Sequence, residues 1–494
     1  MRRRYAAAAV AVALVVSLFA LHPYLIDKQP PGTPGGSISG SNPDPAPAPA
    51  GKTLPTGFLG GVIEGYYGAP WSTVDTLDMI KFIGDHGMNT FVYAPKDDPF
   101  QRSRWRDPYP ADGLQKLAEL VAACKDSGVK FVYSLSPGLS ITYSDPADAQ
   151  ALNAKFDQLR TIGVDVFMLS FDDISNKLKA ADAKVFNDDL ALAQATVTNA
   201  LMAHESAADV DFELVFVPTT YSGTKDNPYW QSLKAHLDKR AAVIWTGPKV
   251  LSPTITAAQA EAVAGYIGHR LIIWDNYPTN DYTFAQPPRR PKLFLGPVTG
   301  RDAGLPGAVA GYWYNPMEQG RASKLALATG FDYLLDPAAY DPAAAWARAI
   351  AEIGGPVAAQ LRLLAENASS YYYANPAPPK LAADLASVWT QPAATDLTKT
   401  AAFADFRAFE QLATDLKALP DAALYAELKP WLDALAKQGQ VGRLALAVLQ
   451  AQRQKLDAKE QMQALKTALA ELKGNKYSIA GDAVVAFAEK VVGE

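Results

Sequence analysis

The chain has 494 residues, 49% hydrophobic and 20% charged, with a formal net charge of −5. That length exceeds one ordinary core and predicts two domains plus extra segments. The acidic balance, with no basic run beyond the first residues, argues against a nucleic acid partner.

A single cysteine, Cys124, excludes an intrachain disulfide and a multi-cysteine metal site. The five histidines (His22, His86, His204, His236 and His269) show no ligand spacing, so no metal is expected. At the start, Arg2-Arg3-Arg4 precede an apolar run from Tyr5 to Leu21. A basic start with an apolar core reads as an export signal or an uncleaved membrane anchor over residues 1–28. The protein is therefore expected to be secreted, periplasmic or membrane-anchored facing outward. Residues 29–55 are rich in Pro, Gly, Ser and Ala and read as a flexible to semi-extended tether.

Eight short apolar runs follow: Leu59–Glu64, Thr90–Ala94, Lys130–Leu135, Val164–Phe171, Glu213–Val217, Ala241–Trp245, Leu271–Trp274 and Ala308–Tyr314. Each reads as a buried parallel strand, being short, continuous and rich in Val, Ile and aromatics. Segments between several of them have helical spacing, as at 73–84, 114–127, 147–162 and 188–205. Eight such units over residues 56–340 predict an α/β fold, a (β/α)8 TIM barrel, with its chemistry at the C-terminal strand ends. From about Asp336 the composition shifts to Ala, Leu, Lys, Glu and Gln. Segments 341–353, 357–367, 398–417, 422–438 and 441–472 look amphipathic, with a break at Ala374–Pro379. Residues 341–494 are expected to form a C-terminal α-helical bundle domain beside the barrel. The sharper alternatives for that region are a groove for a large substrate or a homodimer contact.

The fourth strand ends in adjacent carboxylates, Asp172-Asp173. Neighbouring like charges split their pKa values, which suits one acid and one base at neutral pH. All eight strand ends are polar or turn-forming, and one such end alone is only a turn; eight at the same end predict a shared pocket. Aromatic faces with Asn and Asp around them suit a sugar. Neither a phosphate loop nor a supported Ser-His-Asp set is present, which leaves carboxylate acid/base chemistry, with glycoside hydrolysis as the leading class.

The runs Gly61-Val62-Ile63-Glu64-Gly65-Tyr66-Tyr67-Gly68-Ala69-Pro70-Trp71, Tyr93-Ala94-Pro95-Lys96-Asp97-Asp98 and Ser134-Leu135-Ser136-Pro137-Gly138-Leu139 resemble glycoside hydrolase family 84. So do Phe171-Asp172-Asp173-Ile174, Trp245-Thr246-Gly247-Pro248-Lys249 and Trp274-Asp275-Asn276. That family holds the β-N-acetylglucosaminidases called O-GlcNAcases, and the resemblance covers roughly residues 57–335. It implies a retaining exo-enzyme without cofactors, acting on terminal β-linked GlcNAc of glycoproteins or glycans. In its substrate-assisted mechanism the sugar's own acetamide oxygen forms an oxazoline. The resemblance implies that Asp172 orients the acetamide and that Asp173 is the general acid and then base. It further implies that Gly65 lets the backbone approach the sugar and that Lys96 donates to a hydroxyl. Tyr221 would lie beside the acetamide, and Trp274 would line its pocket with Asn276 close by. Asp281 would accept from the 4- and 6-hydroxyls and Asn315 would hold another hydroxyl, with Tyr282 and Val250 as further contacts. Thr220 departs from the family, where a Glu is familiar. The competing readings are an inactive carbohydrate-binding module at the cell surface, or a glycosidase with an enzyme nucleophile. In the latter, Asp275 or Asp281 would stand about 5 Å from Asp173.

Overall fold

A computed structural model describes residues 51–207, 213–285, 290–369 and 377–493. The expected N-terminal signal or anchor and most of the tether lie outside the described residues, as does the first half of the expected break at Ala374–Pro379. Eight parallel strands form one closed barrel in sequential order: β1 (Leu59–Glu64), β2 (Thr90–Tyr93), β3 (Lys130–Leu135), β4 (Val166–Ser170), β5 (Leu214–Val217), β6 (Ala242–Trp245), β7 (Leu271–Asp275) and β8 (Gly311–Tyr314). β1 closes against β8, with Leu59 opposite Gly311. Gly61 is required at the β1–β2 pair, because a Cβ there would come within 1.8 Å of the Thr90 carbonyl oxygen.

Alternation along the strands sorts side chains into two layers. Ile63, Val92, Val132, Met168, Val215, Ile244, Ile272 and Trp313 fill the barrel interior. Val62, Phe91, Phe131, Phe167, Leu169, Phe216, Val243, Ile273 and Tyr312 face the outer helices. The helices begin where capping residues satisfy free backbone N–H groups. Ser72 accepts from Asp75 N ahead of helix Thr73–Asp85, and Asp189 accepts from Leu192 N ahead of Leu190–Ser206. Thr256 and Gln259 form a reciprocal capping box on Ala257–Ile267.

Helices Pro342–Gly354, Ala358–Asn367, Pro379–Thr390, Ala401–Asp415, Ala422–Arg453, Lys459–Lys473 and Ala483–Val492 follow the barrel and its last helix, Gly320–Leu335. Glu427 accepts from the backbone N–H groups of Arg321 and Ala322, and burial pushes its carboxyl up to about 7. Arg321 also bridges Asp75 and Asp421, and the Trp431 indole donates to the Pro291 carbonyl. Two expectations fail here: segment 441–472, read as one helical run, is interrupted between Arg453 and Lys459, and a second boundary is misplaced. The pattern broke a helix at Gly439-Gln440, whereas the structure runs a single helix from Ala422 to Arg453. The glycines serve packing: a Cβ on Gly439 would lie 2.5 Å from the Phe406 carbonyl oxygen, and one on Gly442 2.2 Å from the Phe406 ring. Helices Pro379–Thr390 and Ala483–Val492 are additions that the sequence pattern did not single out.

Candidate active site

The interior-facing alternation continues past the strand ends and supplies most of the mouth. Following Ile63, Ala94, Trp274 and Trp313 inward, the next residues of the same parity are Gly65, Lys96, Asn276 and Asn315. The structure ties them together. Asn315 Oδ1 accepts from Gly65 N at 3.2 Å, and Asn315 Nδ2 donates to Asn276 Oδ1 at 2.9 Å. Asn276 Nδ2 in turn donates to the Val250 carbonyl at 2.8 Å. Gly65 leaves room for Trp274, since a Cβ there would sit 2.3 Å from the indole Cζ2. The approach the structure requires of Gly65 is therefore to Trp274. The Trp274 Nε1 is buried with no hydrogen-bond partner.

On β4, Met168 and Ser170 point inward and Phe167, Leu169 and Phe171 outward, so alternation sends Asp172 into the mouth and Asp173 away from it. The backbone breaks that alternation. Asp173 has φ 54°, a left-handed conformation uncommon for a residue other than glycine. Its carboxylate thereby reaches the Tyr221 hydroxyl, which donates to Oδ1 at 2.7 Å, and the Tyr67 hydroxyl, which donates to Oδ2 at 2.8 Å. The two carboxylates share one mouth through this irregularity.

Their surroundings differ. Asp172 is 7% exposed and Lys96 is 6% exposed, and the Lys96 ammonium donates directly to Asp172 Oδ2. Burial alone would raise the Asp172 carboxyl, but the Lys96 charge, the Arg102 charge and the Lys96 hydrogen bond hold it below its ordinary value. Its other oxygen, Oδ1, is buried and has no partner. Asp173 is exposed. Burial, and after it the negative charge of Asp173, keep the Tyr67 and Tyr221 phenols far above their ordinary values, so both remain donors.

Asp281 accepts from Tyr67 N at 2.8 Å and Tyr282 N at 2.6 Å. Burial raises its carboxyl above the ordinary value against those two hydrogen bonds. The Tyr282 ring stacks on Phe294 at 6.2 Å. Lys96 donates to Asp172 and Tyr221 to Asp173, which places both expected binding residues at the mouth. Thr220 gives its carbonyl to the Trp230 indole. Asp275, one of the two candidate enzyme nucleophiles, is on the outer face of β7. It pairs with Arg301 at 2.6 and 2.9 Å and accepts from Tyr312 at 2.6 Å, so it does not reach the mouth.

Three groups went unselected in the sequence. Tyr67 was legible only as part of a longer run, and nothing in the spacing pointed to Arg102. Glu64, outward-facing and 1% exposed, is pushed up to about 8 by burial. It accepts from Trp71 N at 2.8 Å and so braces the turn that carries Tyr67.

Among the described residues, the one cluster of metal-ligating type is Asp157, His204 and Glu205, on the helices outside the barrel. The Arg160 guanidinium already pairs with Glu205 there.

A family model described as beta-N-acetylglucosaminidase matches residues 60–366, well over half of the chain. The Protein O-GlcNAcase of Rattus norvegicus is 34% identical over 315 residues, covering 59% of this chain and 33% of the relative. That of Mus musculus is 35% identical over 278 residues, covering 55% and 29%. The chain thus spans about a third of the length of the curated relatives it matches. Among solved structures, a mutant of the Thermobaculum terrenum O-GlcNAc hydrolase superposes with a TM-score of 0.80 at 27% identity, covering 88% of this chain and 94% of that one. A second, CpGH84B, gives 0.75 at 30% identity over 87% and 76%. The chain therefore belongs to the β-N-acetylglucosaminidase family, glycoside hydrolase family 84.

Proposed function

We propose that this protein is a retaining exo-β-N-acetylglucosaminidase that removes terminal β-linked GlcNAc from glycoproteins or glycans by substrate assistance. The observation that carries the reading is the division of labour between the adjacent aspartates: Asp172 buried, ion-paired and with one oxygen unpartnered, Asp173 exposed and gripped by two phenols. Asp172 Oδ1 accepts the acetamide N–H, which draws electrons onto the acetamide oxygen. That oxygen attacks the anomeric carbon, and the glycosidic bond breaks as Asp173 gives its proton to the leaving oxygen. Water then opens the oxazoline at the anomeric carbon, returning a proton to Asp173 and leaving GlcNAc in its original configuration. The protein supplies no nucleophile, so the mouth needs no carboxylate facing Asp173 across the ring.

The test compares an aryl β-GlcNAc with the matching β-glucoside, which lacks the acetamide. Hydrolysis of the first and not the second is expected. Similar rates on both would favour an enzyme nucleophile, with Asp281 the remaining candidate, and no turnover of either would favour the binding module. Export of the enzyme follows from the basic and apolar start of the sequence. Fractionation of the native cells should find activity outside the cytosol.

A further inference from the structure

Arg102 is a buried cation with an unusual allegiance. It is 8% exposed, yet among the described residues it forms no ion pair with a carboxylate. Burying a guanidinium without a direct ion pair is costly, so such a group needs a reason to be there. Its side-chain hydrogen bond runs from Nη1 to the Tyr67 hydroxyl oxygen at 2.8 Å, and the guanidinium lies 5.2 Å from the centre of the same ring. Tyr67 directs its own proton to Asp173 Oδ2 at 2.8 Å. An arginine only donates, so Arg102 occupies the Tyr67 oxygen and leaves the single phenol proton for Asp173.

The loop that carries Arg102 is pinned by hydrogen bonds. Asp98 accepts from the hydroxyls of Tyr93 and Tyr109 at 2.8 and 2.6 Å and from Phe100 N, and Gln101 donates to Ser136. The charged and titratable groups facing Arg102 are Tyr67 from the β1 loop, Asp97 from its own loop, and Asp172 and Asp173 after β4. The Lys96 ammonium lies 6.0 Å from the centre of the Tyr67 ring.

We propose that Arg102 is a positioning residue for Asp173, fixing its carboxylate through the Tyr67 phenol. This rests on the glycosidase reading above. The fixed phenol keeps the Asp173 carboxyl aimed at the leaving oxygen, which matters most for leaving groups that need a proton. The Arg102 charge also favours the ionised form of Asp172, the acetamide partner.

The two roles separate experimentally. The wild type, Arg102→Met, Arg102→Lys and Tyr67→Phe are assayed across pH on 2,4-dinitrophenyl β-GlcNAc, which leaves without protonation, and on phenyl β-GlcNAc, which needs it. Arg102→Met should lose about tenfold more kcat/KM on the phenyl than on the dinitrophenyl substrate. Its acid limb should also move to higher pH. Arg102→Lys should return the acid limb and keep the leaving-group defect, because a lysine ammonium restores the charge without the guanidinium's fork. Tyr67→Phe should show the leaving-group defect with the acid limb unmoved. Equal losses on both substrates with an unmoved acid limb in the Arg102 variants would overturn the proposal, leaving Arg102 as packing. If Arg102→Met does not fold, Arg102→Lys and Tyr67→Phe decide the question. A wild type that turns over neither substrate rejects the glycosidase reading itself, a result distinct from any pattern among the variants.

Discussion

Replacing Lys96 with methionine tests whether the buried ion pair sets the charge of Asp172. Both side chains are almost fully buried, 2% and 7% exposed, so solvent screens their attraction little. Removing one partner of such a pair leaves an uncompensated charge at a cost of about 3–5 kcal/mol. In the intact protein Asp172 lies below the ordinary carboxylate range. Its contribution to stability is therefore present above the unfolded value and is lost as pH falls through the folded one. Without the ammonium, burial dominates and carries the carboxyl above that range. The sign then reverses, and the variant loses stability as pH rises. Denaturant unfolding should show a deficit of about 3–5 kcal/mol at pH 8 that shrinks at pH 5, where the buried carboxyl takes up a proton. The acid limb of kcat/KM should move to higher pH, because the acetamide partner must be ionised. A deficit equal at both pH values, together with an unmoved acid limb, would refute the assignment.

Gly65→Ala places a Cβ 2.3 Å from Trp274 Cζ2, so the indole must shift. The expected result is a loss of about 1–3 kcal/mol in unfolding with a fall in kcat/KM. Gly442→Ala makes the same kind of clash with Phe406, at 2.2 Å, and should cost about 1–3 kcal/mol while leaving kcat/KM unchanged. Asp275→Asn strips the buried Arg301 of its charged partner and should destabilise by about 3–5 kcal/mol. Added azide should not rescue its rate; rescue, with a glycosyl azide as product, would make Asp275 a nucleophile.

The barrel was legible because its strands are short, buried on both faces and separated by helical spacing, and the eight expected runs match the observed strands to within three residues at each end. The helical tail was less so, and the reason lies in Gly439 and Gly442. Glycine in a helix interior is normally a cost and reads as a stop. Here the missing side chains admit the Phe406 ring and backbone, so close packing between Ala401–Asp415 and Ala422–Arg453 outweighs the local preference. That compensation comes from residues more than thirty positions away. No local window contains it.

The mouth divides the same way. Gly65, Lys96, Asp172, Asn276 and Asn315 follow from extending strand alternation past the strand ends, with Trp274 inside β7 on the same parity, and a sequence carries that parity. Pairing is different. Lys96 and Asp172 are 76 positions apart, and their ion pair exists because β2 and β4 point them into the same barrel interior. Asp173 defeats parity altogether: alternation turns it outward, and only the φ of 54° brings it back. A left-handed aspartate is strained by roughly 1 kcal/mol or more, and such strain persists only where the surroundings enforce it. Two phenols hold this one, Tyr221 from the β5 loop and Tyr67 from the β1 loop, the latter secured by Arg102. The strained residue at the mouth is thus held from two other loops. This is the pattern expected of a group whose direction matters more than its own conformational comfort.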